Sequence, residues 1–112
     1  MTHKYYPNPL EKVVLSPEGP QPQVLFTEGP VKIIVAGLEA GQKIPVHPEG
    51  LGSFQFLEGR GVMIVDGERL PVGPGTVIIA EHGAPRGMEA ETDLKFIAVR
   101  ITELKDHTQT AG

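Results

Sequence analysis

The stretch GQKIPVHPEGLGSFQFLEGRG, residues 41 to 61, holds His47 and, two positions on, Glu49. A second stretch, AEHGAPRG at 80 to 87, holds Glu81, His82 and Arg86. Imidazole titrates near neutral pH, so His47 can act as a general acid or base, or ligate a metal. The planar guanidinium of Arg86 suits a carboxylate or phosphate but cannot itself bind a metal ion. His3 and His107 lie in the terminal segments and are expected to be solvated. Other chemistries are poorly supplied. The chain has no cysteine, so no thiolate nucleophile, thiolate zinc site or disulfide is available. Ser16 and Ser53 are its only serines, and LGSFQ is not a nucleophile elbow. EGRGV lacks the third glycine and the helix of a dinucleotide fingerprint.

The 112 residues are read as one domain. A chain of this size buries roughly two-thirds of its unfolded surface, enough for one core. Its net charge of -4 argues against nucleic acid, which is gripped by clustered Lys and Arg; HKYYPNP carries no extended basic face. MTHKYYPNPL has no apolar signal core, and VKIIVAGL is too short to span a bilayer. These features predict a cytoplasmic protein with no membrane partner. A single asparagine, Asn8, and frequent proline fit a heat-adapted source.

Glycine and proline divide the chain into short runs rich in Val, Ile and Phe, the all-β pattern. Residues 1 to about 12 read as an irregular arm, KVVL (12–15) as a first strand, and SPEGPQPQ (16–23) as a loop whose prolines forbid a central strand. Strands follow at 24–27, 31–38 and 53–58. Residues 62–72 read as a hairpin around Asp66-Gly67, a pair suited to a type I′ turn. Strands at 76–80, 86–91 and 94–101 complete the set, and a polar tail follows from Thr102. The core is thus expected over about 12–102. Period-2 alternation places Phe54 and Phe56 on one face and Gln55 on the other. Met63 and Met88 are expected as core filler. About eight antiparallel strands at this spacing suggest a closed barrel or a double-sheet jelly roll.

Residues 41–61 look like a metal-binding β-hairpin with most ligands missing, and with the second stretch they resemble the cupin family. Gly41 and His47 match the start of the first cupin motif, G-x5-H-x-H-x3,4-E-x6-G, and Gly59 or Gly61 its end. Gly75 and Gly83 match glycines of the second motif, G-x5-P-x-G-x2-H-x3-N, and Pro85 stands where a proline commonly precedes its histidine. The resemblance implies an antiparallel jelly-roll barrel, a double-stranded β-helix. In the family, three histidines and a glutamate converge on a divalent metal at the barrel mouth. This chain departs from that set. His47 keeps the first position and Glu49 takes the second. The glutamate position falls on Gly52 or Phe54, and the last histidine position on Arg86. Glu81 replaces the motif proline, and Ala90 the final asparagine.

No cofactor is therefore expected. The leading reading is a small cupin that binds a small anionic molecule in the barrel mouth, with Arg86 as anchor, His47 and Glu49 nearby, and Phe54 and Phe56 as candidate pocket walls. Any catalysis would fall to His47 or Glu49 as metal-free proton transfer. Because Glu49 and Arg86 stand at converging family positions, they are expected either to pair or to leave Arg86 free for a ligand. One rival reading is a metal-dependent dioxygenase or isomerase with a divalent metal on His47, Glu49 and His82. Another is an interaction module with a filled barrel. The resemblance also implies a homodimer, with residues before Val24 touching the partner subunit.

Overall fold

Nine strands form in the computed structural model, which describes residues 2–102. They are β1 (Gln23–Glu28), β2 (Val31–Leu38), β3 (Lys43–Pro48), β4 (Leu51–Glu58), β5 (Gly61–Val65), β6 (Glu68–Val72), β7 (Val77–Ala80), β8 (Pro85–Ala90) and β9 (Leu94–Ile101). A five-stranded sheet of order β1-β2-β9-β4-β7 packs on a four-stranded sheet of order β3-β8-β5-β6, and every pairing is antiparallel. This is the expected all-β jelly roll. The expected polar tail, including His107, lies outside the described residues.

The alternation of each strand sets what faces inward. On β9, Leu94, Phe96 and Ala98 are buried, and across the ladders they meet Leu38, Ala36 and Ile34 on one side and Phe56 and Phe54 on the other. The opposing sheet contributes Met63 and Met88, which pair directly across β5 and β8. Gln55 is exposed while Phe54 and Phe56 are buried, as period 2 requires. The β5–β6 hairpin turns at Asp66-Gly67, whose φ values of 52° and 80° are the left-handed pair of a type I′ turn. Pro71 is tolerated on β6 because that strand is an edge.

Three expectations need correction. KVVL is not a strand. Pro9–Lys12 forms a short 3-10 helix capped by the Asn8 side chain. Val13 and Leu15 then dock over Gly37 on β2, where an added Cβ would lie 2.8 and 2.7 Å from their side chains. Close packing, rather than ladder pairing, holds that segment. Second, β3 is a strand that the run-by-run reading passed over. Third, residues 41–61 are not one hairpin: β3 pairs with β8 in one sheet, while β4 pairs with β7 and β9 in the other. The turn at Glu49 and Gly50 therefore crosses between sheets at one end of the barrel.

Candidate functional site

That crossing carries the site. The β3–β8 ladder breaks register between Ile44 and His47, around Pro45, which has no N–H to donate. Beyond the bulge, His47 lies directly opposite Arg86. On the other sheet, alternation along β9 brings Arg100 to the same barrel end, after Leu94, Phe96 and Ala98. His47, Glu49, Arg86 and Arg100 all line one cavity of about 140 Å³. Its deeper wall is apolar, with Phe54, Phe96, Met63 and Met88 among its residues. Pro20 and Pro22, from the loop before β1, line it as well. Phe56 does not line it and is fully buried core, its ring tilted against Phe96 with centroids 5.7 Å apart.

Of the two expected alternatives, Glu49 and Arg86 do not form an ion pair, and Arg86 is not left free either. The Glu49 carboxylate is shared between His47, with Nε2 2.5 Å from Oε2, and Arg100, with Nη2 2.5 Å from Oε1. Arg86 is instead bound by backbone. Its Nε donates to the Ala84 carbonyl at 3.0 Å and its Nη1 to Gly50 at 2.6 Å. Its Nη2 donates to the Glu49 and Glu81 carbonyls at 3.1 and 3.0 Å. Guanidinium has five N–H donors, so four are spent on these carbonyls. The residue is only 6% exposed. It ties the β3–β4 turn to the β7–β8 turn.

Gly52 explains how the guanidinium fits. It is the position that counting back from Gly59 gives for the motif glutamate, and a Cβ there would lie 3.1 Å from Arg86 Nη1 and 2.9 Å from the Phe54 ring. A glutamate side chain would run into the space the guanidinium fills.

Electrostatics follow from these contacts. His47 Nδ1 faces the Pro45 carbonyl at 3.1 Å, while Nε2 faces Glu49. Both neighbours accept hydrogen bonds, so both contacts are made only by the doubly protonated ring. The Pro45 carbonyl, then Glu49, accordingly raise the His47 pKa. Burial alone would raise Glu49, but hydrogen bonds and charge from His47 and Arg100 outweigh it and hold the carboxyl below its usual range. Burial lowers Arg86 from its ordinary value, against the pull of Glu49.

A family model for the cupin domain matches residues 33–100. The chain belongs to the cupin family. An RmlC-like cupin protein from Desulfovibrio desulfuricans is 29% identical, with a TM-score of 0.78 over 90% of this chain and 100% of that one. A conserved protein of unknown function from Streptococcus pyogenes is 21% identical, with a TM-score of 0.79 over 94% and 93% of the two chains. A variant of salicylate 1,2-dioxygenase from Pseudoaminobacter salicylatoxidans is 18% identical, with a TM-score of 0.69 over 75% of this chain and 27% of its own. The latter two likenesses show the fold alone. No curated protein matches.

Among the described residues, this cupin does not assemble the family's metal ligands. Among the described residues no group of three His, Cys, Asp or Glu side chains is placed to hold a metal ion. His82 sits on an exposed loop and borders a different surface depression with Asp66 and Glu81, so the set His47, Glu49 and His82 is not brought together. Among the described residues, no helix is long and apolar enough to cross a membrane.

Arg100 is the site residue that motif matching missed. Period 2 along LKFIAVRI puts it on the inward face with Leu94, Phe96 and Ala98, and a charged residue ending an inward apolar row belongs at the barrel rim.

Proposed function

We propose that this cupin binds a small anion with a compact apolar body at the barrel mouth, without a resident transition metal. One observation carries the reading: two cationic side chains, His47 and Arg100, share the Glu49 carboxylate at the lip of an apolar cavity that a third, Arg86, also lines. They leave a local excess of positive charge in a chain whose net charge is -4. Lys32, the cross-strand neighbour of Arg100, adds to it. A cavity near 150 Å³ holds a molecule of about benzene's size, which matches the 140 Å³ here. Arg100, more open than Arg86, is the better anchor; Arg86 keeps one N–H for a ligand. His47 with Glu49 is the pair able to exchange a proton with the bound molecule, and isomerase or epimerase chemistry is the class this would serve.

Calorimetric titration with acetate, benzoate, inorganic phosphate and the neutral benzyl alcohol tests the reading. Anion binding that weakens with added salt and is lost in Arg100→Ala is expected. Equal binding of benzyl alcohol, or no binding of any anion, would overturn it.

The proposed partner is a second copy of the chain. The outer face of the five-stranded sheet is largely apolar: the ladder runs Ile33, Val99, Ser53 and Ile79 in one row and Val35, Ile97, Gln55 and Val77 in the next. Val77 is 55% exposed and Ile79 63%. The arm covers part of this face, with Tyr6 Oη donating to the Leu25 carbonyl at 2.7 Å, but leaves β7 open. A two-fold contact between such faces would bury both.

A further inference from the structure

The Glu49 carboxylate is held as a ligand's head group would be. It lies at the cavity lip, with one oxygen on the Arg100 guanidinium and the other on the His47 imidazole. Arg100 and His47 carry the most accessible donors of the site, with side chains 36% and 51% exposed. They are the groups an entering anion would meet first, and Glu49 already occupies them. Glu49 is not locked there by burial, because its own side chain is 30% exposed. It follows His47 by two residues and sits in the turn between sheets, so its carboxylate can leave for solvent while the backbone carbonyl stays on Arg86.

We propose that Glu49 is a built-in competitor, and that the site's ligand is a monocarboxylate whose head group replaces the Glu49 carboxylate on Arg100 and His47. This deepens the anion-binding reading and rests on it. The ligand class follows from the group displaced. A planar carboxylate presents two oxygens to a guanidinium and a ring N–H in the same geometry. Its body would enter the apolar cavity against Phe54 and Phe96, which limits it to about the size of benzoate. A phosphate lacks that body. A dicarboxylate would bring a second charge against Phe54, Met63 and Met88 with no donor to receive it.

The exchange gives Glu49 an unusual sign. A residue that simply helps bind the ligand weakens binding when neutralised. A competitor strengthens it, because the wild-type ligand must first break two charge-assisted hydrogen bonds. The test is calorimetric titration of the wild-type cupin, Glu49→Gln and Arg100→Ala with benzoate, benzamide and inorganic phosphate at neutral pH and low salt. Melting temperatures establish that each variant is folded. Glu49→Gln should bind benzoate about fivefold more tightly than wild type, since water screens partly exposed charge pairs of this kind and limits what each is worth. Benzamide, the neutral isostere, should not gain. Arg100→Ala should lose benzoate. If benzoate binds wild type through Arg100 but Glu49→Gln is no tighter, exchange is wrong while anion binding stands. If benzamide binds wild type as well as benzoate does, or neither binds, the anion reading itself fails. Phosphate binding as tight as benzoate in Glu49→Gln would refute the monocarboxylate assignment.

Discussion

The Glu49 carboxylate bonds Arg100 at 2.5 Å and leaves Arg86 to four backbone carbonyls. The two arginines at one barrel mouth therefore have different jobs. Arg100 and Glu49 are each about a third exposed, so water screens their pair, and such pairs contribute about 1 kcal/mol or less. A double-mutant cycle in denaturant on Glu49→Ala and Arg100→Ala should give a coupling energy in that range. The cycle between Glu49→Ala and Arg86→Ala should show less coupling, since the Arg86 bonds go to carbonyls that Ala also possesses. Stronger coupling to Arg86 than to Arg100 would contradict this division.

Replacing Arg86 should be costly in itself. Arg86→Met keeps an unbranched stem, though a shorter one, and removes every donor. The Gly50, Glu49, Ala84 and Glu81 carbonyls lose that partner, though Glu49 still accepts from the Gly83 N–H and Glu81 from the Ala84 N–H. Loss of several hydrogen bonds from a buried charged group predicts destabilisation of about 3 kcal/mol or more, measured by chemical denaturation. Arg86→Lys should recover only part, because one ammonium cannot reach two turns with a fork.

The pH response has a definite sign. The His47 pKa is raised in the folded state, first by the Pro45 carbonyl and then by Glu49. Its stabilising contribution is therefore full below the unfolded-state value, about 6.5, and is lost as pH rises through the folded value. Glu49 is lowered, so its contribution is present above the unfolded value and lost as pH falls through the folded one. The contact is strongest between the two folded values. In an NMR titration the His47 ring should show a raised midpoint. Glu49→Gln should bring it down only part of the way, because the Pro45 contact persists. A midpoint unchanged by Glu49→Gln would mean that the contact is not formed in solution.

Much of this was legible in the chain. Alternating apolar runs located eight of the nine strands, and the glycine framework of the two motifs pointed to the cupin barrel. β3 escaped because KIPVHP carries a proline and a register break, and it has only one apolar residue, Ile44, facing the core. The Arg86 clamp could not be read locally. Its four carbonyls belong to two turns more than thirty residues apart, brought together only when the sheets pack. Arg100 was readable by alternation but lay outside both motifs. The choice left open between a Glu49–Arg86 pair and a free Arg86 missed the outcome for a related reason: motif alignment tells which backbone positions converge, not which of two nearby cations a side chain will choose.

Metal content follows from the clamp. Arg86 Nη1 lies 3.1 Å from where a Cβ at position 52 would sit, so a cation entering that space would meet a fixed positive charge. Unit charges about 4 Å apart interact by about 4 kcal/mol at an effective dielectric near 20. Elemental analysis of purified protein should find well under one transition metal per chain. A stoichiometric metal lost in His47→Ala would promote the metal-enzyme reading.

The last prediction concerns the exposed sheet face. Val77 and Ile79 point outward from the edge strand β7, beside Ile97 and Val99 through the intervening Gln55 and Ser53 of β4. An apolar row on an edge strand invites pairing with another chain, which proteins commonly prevent with a charge. Here the charge is missing, as a standing interface would require. The wild-type protein should elute and scatter light as a dimer at micromolar concentration. Ile79→Asp places a charge in the centre of the contact, where it would be desolvated without a partner, and should shift the protein to monomer. The substitution should leave the fold intact, because Ile79 is 63% exposed in the single chain. Circular dichroism of the variant checks that point. The arm offers an independent handle: deleting residues 2–8 removes the Tyr6 contact to Leu25 and uncovers more of the same face. If the arm only covers its own sheet, the truncated protein should associate further. If residues before Val24 cross to the partner subunit, it should dissociate. A wild-type monomer across the whole concentration range would leave the face without the proposed partner and refute the dimer.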